Sequence, residues 1–224
     1  MSAELIALLA EATLQTLYMV GMSALLGTLI GGPLGVFLAT SRRGELIAAP
    51  VLNRLLGLVV NAARSTPFII LVVAIIPFTR LVAGTSIGTT AAIVPLTVAA
   101  APFIARLVET AIREVDAGLI EAARAMGATP WQIVTRVLVP EAMPGIVLGL
   151  TLAVVSLIGY SAMVGAVGGE GLGDLGIRYG YQRFRPGVML AVVVILIVLV
   201  QLVQTIGERI AARFDRRAPR DRGR

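Results

Sequence analysis

Residues 109–141 read ETAIREVDAGLIEAARAMGATPWQIVTRVLVPE, the one large polar interval among long apolar spans. Asp116 has the type and position of a helix N-cap. Leu119, Ala122, Ala123 and Met126 then recur at i, i+3, i+4 and i+7, which places them on one face of a short amphipathic helix, with Glu121 and Arg124 pointing elsewhere. Gly127 sits where a helix ends in a left-handed conformation that a side chain would resist. Thr129-Pro130-Trp131-Gln132 has the form of a capping box with proline at the first helical position. The predicted unit is helix, glycine turn, helix, with Pro140 and Pro144 marking entry to the next span. Such a hairpin with an alanine-lined face suits a groove on a soluble partner. The same pattern also suits a hairpin lying on lipid or on the chain's own helices.

The rest of the chain sets the environment of that interval. Of 224 residues, 57% are hydrophobic and only 14% charged, with a mean hydropathy of +0.91, against about a quarter charged in soluble domains. Windows of about 20 residues with no charge or one insert as helices, because a backbone in hydrocarbon must satisfy its own hydrogen bonds. The alternation of a membrane β-barrel is absent. The predicted fold class is therefore an all-α polytopic membrane protein. Cysteine and histidine are both absent, which removes disulfides, thiolate or imidazole metal sites and Cys-His pairs. All 19 basic residues are arginine, so a Walker A loop, which needs its lysine, is excluded on this chain. The first residues carry Glu4 and Glu11 and no arginine, so no cleaved signal peptide is expected.

Five spans are predicted, at about 15–40, 57–79, 86–106, 144–167 and 187–206, following an external segment 1–12 and followed by a basic tail 208–224. The cytoplasmic loop 109–141 lies between the third and fourth spans. Gly27, Gly31, Gly32 and Gly35 form a small-residue set suited to close helix packing, and Pro33 is expected to bend the first span. Arg64 interrupts the second span, where it reads as an interfacial anchor or as a charge bracing the cytoplasmic half of a pathway. Thr89, Thr90 and Thr97 are expected to bond carbonyls freed near Pro95 and Pro102. Arginines 42, 43, 54, 64, 106, 113, 124 and 136 share one side with the seven from 209 onward, and only 80, 178, 183 and 185 lie on the other. By the positive-inside rule the amino terminus is outside, and the polar interval and carboxyl terminus are cytoplasmic. The tail reads as a disordered surface segment facing anionic lipid rather than a nucleic-acid arm.

The run Glu121-Ala122-Ala123, three residues, Gly127, nine residues, Val137-x-Val139-Pro140 resembles the E-A-A-x3-G-x9-I-x-L-P signature of permease subunits of ATP-binding-cassette (ABC) importers. The two departures, Val137 for Ile and Val139 for Leu, keep apolar character. A narrower resemblance covers Arg64-Ser65-Thr66-Pro67-Phe68-Ile69, Ala101 to Arg106, Leu157 to Met163, and Gly171 through Gln182. These runs are similar to the permeases of bacterial methionine importers, a five-span subfamily. The resemblance implies a type I ABC importer fold in the bacterial cytoplasmic membrane. It makes Glu121, Ala122, Ala123, Met126, Gly127 and Pro140 an ATPase-coupling loop. The implied partners are a second permease copy, two cytoplasmic ATPase subunits that hold ATP and Mg, an external substrate-binding lipoprotein and membrane lipid, with no nucleic acid. No cofactor or metal is expected on this chain, and it is not expected to be an enzyme.

Met163, a flexible side chain amid Ser161, Ala162 and Gly165, reads as a pathway or gate residue together with Tyr160 and Ser161, or as ordinary packing. Gly171-Leu172-Gly173-Asp174-Leu175-Gly176 matches G-x-G-x-x-G, but it follows a span rather than a strand and lacks an acidic residue 20 positions on, so a dinucleotide site is not assigned. Glu170 and Asp174 have no nucleophile or metal-ligand set beside them. A solvated or Arg178-paired role is expected. Rival readings are an importer permease for another amino acid or small peptide, and an ATP-independent secondary transporter, which would show intramembrane acids or inverted repeats.

Overall fold

The computed structural model describes residues 3–42 and 45–214. The part of the basic tail at 215–224 lies outside them, whereas 208–214 continue the last helix. Helix α1 (Ala3–Thr40) runs unbroken through Pro33 and takes in most of the segment predicted to lie before the first span. Helix α2 (Pro50–Ser65) opens on a proline, whose missing N–H costs nothing at a helix start. It stops at Thr66, which adopts an extended conformation (φ −80°, ψ 125°) as a residue before proline prefers. The chain then turns by 103° into α3 (Phe68–Ala74) and continues through Ile75 into α4 (Ile76–Ala83). The second predicted span is thus a broken one, and Pro67 is where it breaks.

Helix α5 (Thr89–Arg113) is the centre of the bundle, with 56% of its most apolar stretch buried. It lies between α1 and α8 (Val139–Gly165), and α10 (Pro186–Phe214) lies outside α8. Gly27, Gly31 and Gly35 make the α1–α5 contact. A Cβ at Gly27 would stand 2.8 Å from Ala100 Cβ, one at Gly31 would strike the Ala101 carbonyl, and one at Gly35 the Ala105 carbonyl. Gly32 of the predicted set faces open space instead. Thr97, expected to satisfy a carbonyl near a proline, has a buried hydroxyl with no hydrogen-bond partner among the described residues.

Contact register gives each helix its direction. Gly27, Gly31 and Gly35 meet Ala100, Ile104 and Val108 in ascending order, so α1 and α5 run parallel. Gly145 faces Ala111 and Gly149 faces Leu107, so α8 runs against α5. Helix α2 also runs against α5, since Arg106 bonds Gly57 and Asn61 while Arg64 lies over Phe103. The start of α10 packs Val188 and Val192 with Leu9 and Ala12 near the start of α1, and Gly207 reaches Thr151 further along. The spans therefore alternate in direction, and α1 begins at the end of the bundle opposite to where α10 finishes.

At the outer end, the Gly88 N–H donates to Gly168 O at 2.8 Å. There α9 (Gly171–Leu175) and a π turn (Gly176–Tyr181) occupy most of the predicted loop. The glycines of the nucleotide-like motif have a packing explanation. Cβ atoms at Gly171, Gly173 and Gly176 would press on Thr16, Ala162 and Val192 respectively. Arg178 pairs with Asp174, as its spacing suggested.

Candidate functional site

The polar interval is a hairpin at the cytoplasmic end. Helix α6 (Ala117–Ala125) starts where Asp116 Oδ1 accepts the Gly118 N–H at 2.7 Å. It ends at Gly127, φ 78°. The Gly127 N–H donates to Arg124 O at 2.9 Å and the Ala128 N–H to Ala123 O at 3.1 Å. That pair is a Schellman termination, which requires a left-handed residue at the glycine. Helix α7 (Pro130–Ile133) then opens with the full capping box, Thr129 Oγ1 accepting from Gln132 N–H and Gln132 Oε1 from Thr129 N–H.

Between α7 and α8, Val134–Leu138 forms a π turn, with the Val139 N–H donating to Val134 O. Pro140 follows directly, and a proline ring crowds the carbonyl four residues back. Widening the preceding turn accommodates it, so Pro140 marks the joint between hairpin and span. Despite the π turn, Pro130–Gly165 runs as one helical rod.

The face predicted from the i, i+3, i+4, i+7 spacing is divided in the structure. Ala123 is 3% exposed and packs with Ile133, Val134 and Leu138 in the main core, so it holds the hairpin to the bundle and is not on its outer surface. Glu121, Ala122 and Gly127 are exposed, as are Leu119 and Met126. Trp131, which periodicity did not single out, is 71% exposed, and Met126 is 82% exposed.

Just above the hairpin, Glu109 is buried and accepts from three guanidiniums: Arg42 at 3.3 Å, Arg113 at 3.1 Å, and Arg106. Arg113 also donates to Leu38 O, and Asn53 to Leu38 O and Ser41 Oγ. This cluster joins the end of α1, the start of α2 and the end of α5. In the sequence Glu109 marks only the edge of the polar interval.

A cavity of about 220 Å³ opens between α2, α3, α5 and α8, lined among others by Arg64, Thr66, Phe68, Phe103 and Tyr160. Tyr160 stacks on Phe68 with ring centroids 4.4 Å apart and planes 13° apart. The Arg64 guanidinium lies 5.9 Å from the Phe103 ring centroid. Phe103 is about one helical turn from Arg106 of the Glu109 cluster, so Arg64, in the last turn of α2, lies near that charged layer. Of the three candidate pathway residues, Tyr160 lines this cavity and Met163 is 46% exposed. Ser161 is buried with its hydroxyl donated to Ile158 O at 2.8 Å.

The family model of binding-protein-dependent transport system inner membrane components matches residues 31–218. A probable D-methionine transport system permease protein of Vibrio cholerae is 55% identical over 210 residues, 94% of this chain and 93% of its own length. The D-methionine transport system permease protein of Escherichia coli is 55% identical over 165 residues, 74% of this chain and 76% of its own. Among solved structures, a chain of the MetNI methionine ABC transporter in an inward-facing conformation superposes with a TM-score of 0.94 at 53% identity, covering 96% of this chain and all of that one.

Proposed function

The chain belongs to the binding-protein-dependent transport system inner membrane component family, and from that premise we infer that it is the permease subunit of an ATP-driven methionine importer. It is a multi-pass protein of the bacterial inner membrane and a transport subunit rather than an enzyme. It works as a permease dimer with separate ATPase subunits. In this reading two ATPase subunits hold ATP and Mg, an external lipoprotein delivers the substrate, and lipid surrounds the apolar faces of the bundle.

The mechanism rests on one observation, the two-sidedness of the hairpin. Its inner face is locked into the core through Ala123, while Met126 and Trp131 stand bare on its outer face. A bare apolar face on a rigid cytoplasmic hairpin suits a cleft on a soluble partner. When the ATPases close, α6 moves with them. The rod from Pro130 to Gly165 carries that motion about 54 Å, at 1.5 Å per residue, toward the outer end, where it displaces Tyr160 and the proposed outer gate, Met163. ATP shifts the equilibrium between inward-open and outward-open states only by binding them unequally.

Reconstitution of the permease with its ATPase and lipoprotein into vesicles tests the reading. Labelled methionine accumulates with ATP and fails to do so when the ATPase is omitted. Flux that persists without the ATPase, or a complex that carries another amino acid in place of methionine, would overturn it.

A further inference from the structure

We propose that the cavity between α2, α3, α5 and α8 is an intramembrane way-station for the substrate itself, with Arg64 receiving the carboxylate of a single apolar amino acid and the rings of Phe68, Phe103 and Tyr160 receiving its side chain. The proposal rests on the reading of this chain as a methionine permease and names the site that reading leaves open.

Charge comes first. Arg64 ends α2 beside the 103° break and lines the cavity, within the second predicted span, where an ionised side chain is kept for a partner or a water-filled path. Arg42, Arg106 and Arg113 converge on Glu109, and Arg178 pairs with Asp174. Among the described residues no carboxylate pairs with Arg64; its one aromatic neighbour within cation–π range is Phe103. An arginine fork fits a carboxylate by two parallel hydrogen bonds, and the cavity in front of it is open to receive one.

The remaining walls select what the carboxylate is attached to. Tyr160 and Phe68 present a stacked pair of rings and Phe103 a third, and a polarizable thioether makes favourable contacts with aromatic faces and edges. No acidic side chain lines the cavity, so a second positive charge on the cargo would meet Arg64 unopposed. An α-ammonium group finds only hydroxyl acceptors, Tyr160 and Thr66, the latter already donating its proton to Ala62 O at 3.1 Å. The volume of about 220 Å³ falls below the 300–1,000 Å³ or so typical of pockets for drug-sized ligands and suits one amino acid rather than a peptide. One strong contact with several weak ones holds cargo briefly, as a path must.

The site also lies on the moving parts. Tyr160 is on the rod driven by the hairpin, whereas Arg64 is at the end of α2, across the 103° break from Phe68. Displacement of α8 therefore opens the aromatic wall while Arg64 stays anchored to α5.

The test uses the complete reconstituted transporter. A diazirine analogue of methionine, irradiated during turnover, should label peptides containing Phe68, Phe103 or Tyr160. Adducts confined to other segments overturn the proposal without any variant. Arg64→Gln should lower methionine uptake about tenfold or more while the complex still assembles with its ATPase, the size expected for losing a charge-assisted hydrogen bond. Arg64→Lys, which keeps the charge, should restore part of the uptake, and Arg80→Gln, at the outer end beside Ser86, should change nothing. Uptake by Arg64→Gln equal to the parent's sinks the proposal. If the parent complex itself moves no methionine, the substrate reading has failed instead.

Discussion

Glu109 shows how much one residue can hold in this bundle. Its carboxylate is the shared acceptor for three arginines that arrive from the α1–α2 connection and from α5. Removing one member of a buried ion cluster leaves the others desolvated and opposed, which costs about 3 kcal/mol where the guanidiniums keep partial contact with water. Glu109→Gln should accordingly lower the thermal midpoint of the detergent-solubilised protein clearly, whereas Arg42→Gln should cost less than about 1 kcal/mol, because the Arg42 side chain is 54% exposed. Equal midpoints for parent and Glu109→Gln would show the cluster to be ornamental. The i−3 and i+4 spacings of Arg106 and Arg113 are open to sequence reading, whereas the burial of Glu109 and its pairing with Arg42, 67 residues away, were not legible there. Gly127 lies at the opposite extreme. Its positive φ was readable from its place after an amphipathic run, and the structure places it at 78°. A left-handed residue with a side chain costs about 1–2 kcal/mol. Gly127→Leu should therefore leave membrane insertion intact while reducing co-purification with the ATPase and uptake together.

Among elements, α1 and α5 depend on the glycine stripe. A leucine at Gly31 meets the Ala101 carbonyl and comes within 3.1 Å of Ile104 Cβ, neither of which can step aside. Overpacking of this sort costs about 1–3 kcal/mol. Gly31→Leu should reduce the yield of folded permease, measured by monodisperse recovery in detergent. The neighbouring Gly32→Leu should be tolerated, since nothing lies within 4 Å of its added Cβ. Glycines at 27, 31 and 35 marked the packing face from sequence, but all four were equal candidates until α5 was in place. The second span teaches the converse. Pro67 was visible as an interruption of the ladder, yet a proline permits anything from a slight kink to a full break. The 103° turn accompanies a stack of Phe68 on Tyr160, a contact between distant parts of the chain.

At the scale of the whole molecule, five alternating spans put the termini on opposite faces. The chain contains no cysteine, so single introduced thiols report orientation cleanly. Ser86→Cys at the outer end should react with a membrane-impermeant reagent in intact spheroplasts, and Ala125→Cys on the hairpin only after permeabilisation. Reaction of both before permeabilisation would contradict the orientation. That orientation, the all-helical class, the number of spans and the capped hairpin all followed from sequence, because hydropathy, charge asymmetry and helix capping act over a few residues or sum along the chain. The tertiary structure alone decided that Ala123 faces inward while Met126 and Trp131 are exposed, that Ser161 is buried, and that Arg64 lines an aromatic cavity. Periodicity tells which residues share a helix face but not which way that face is turned, and the turn is set by contacts between residues far apart in the chain.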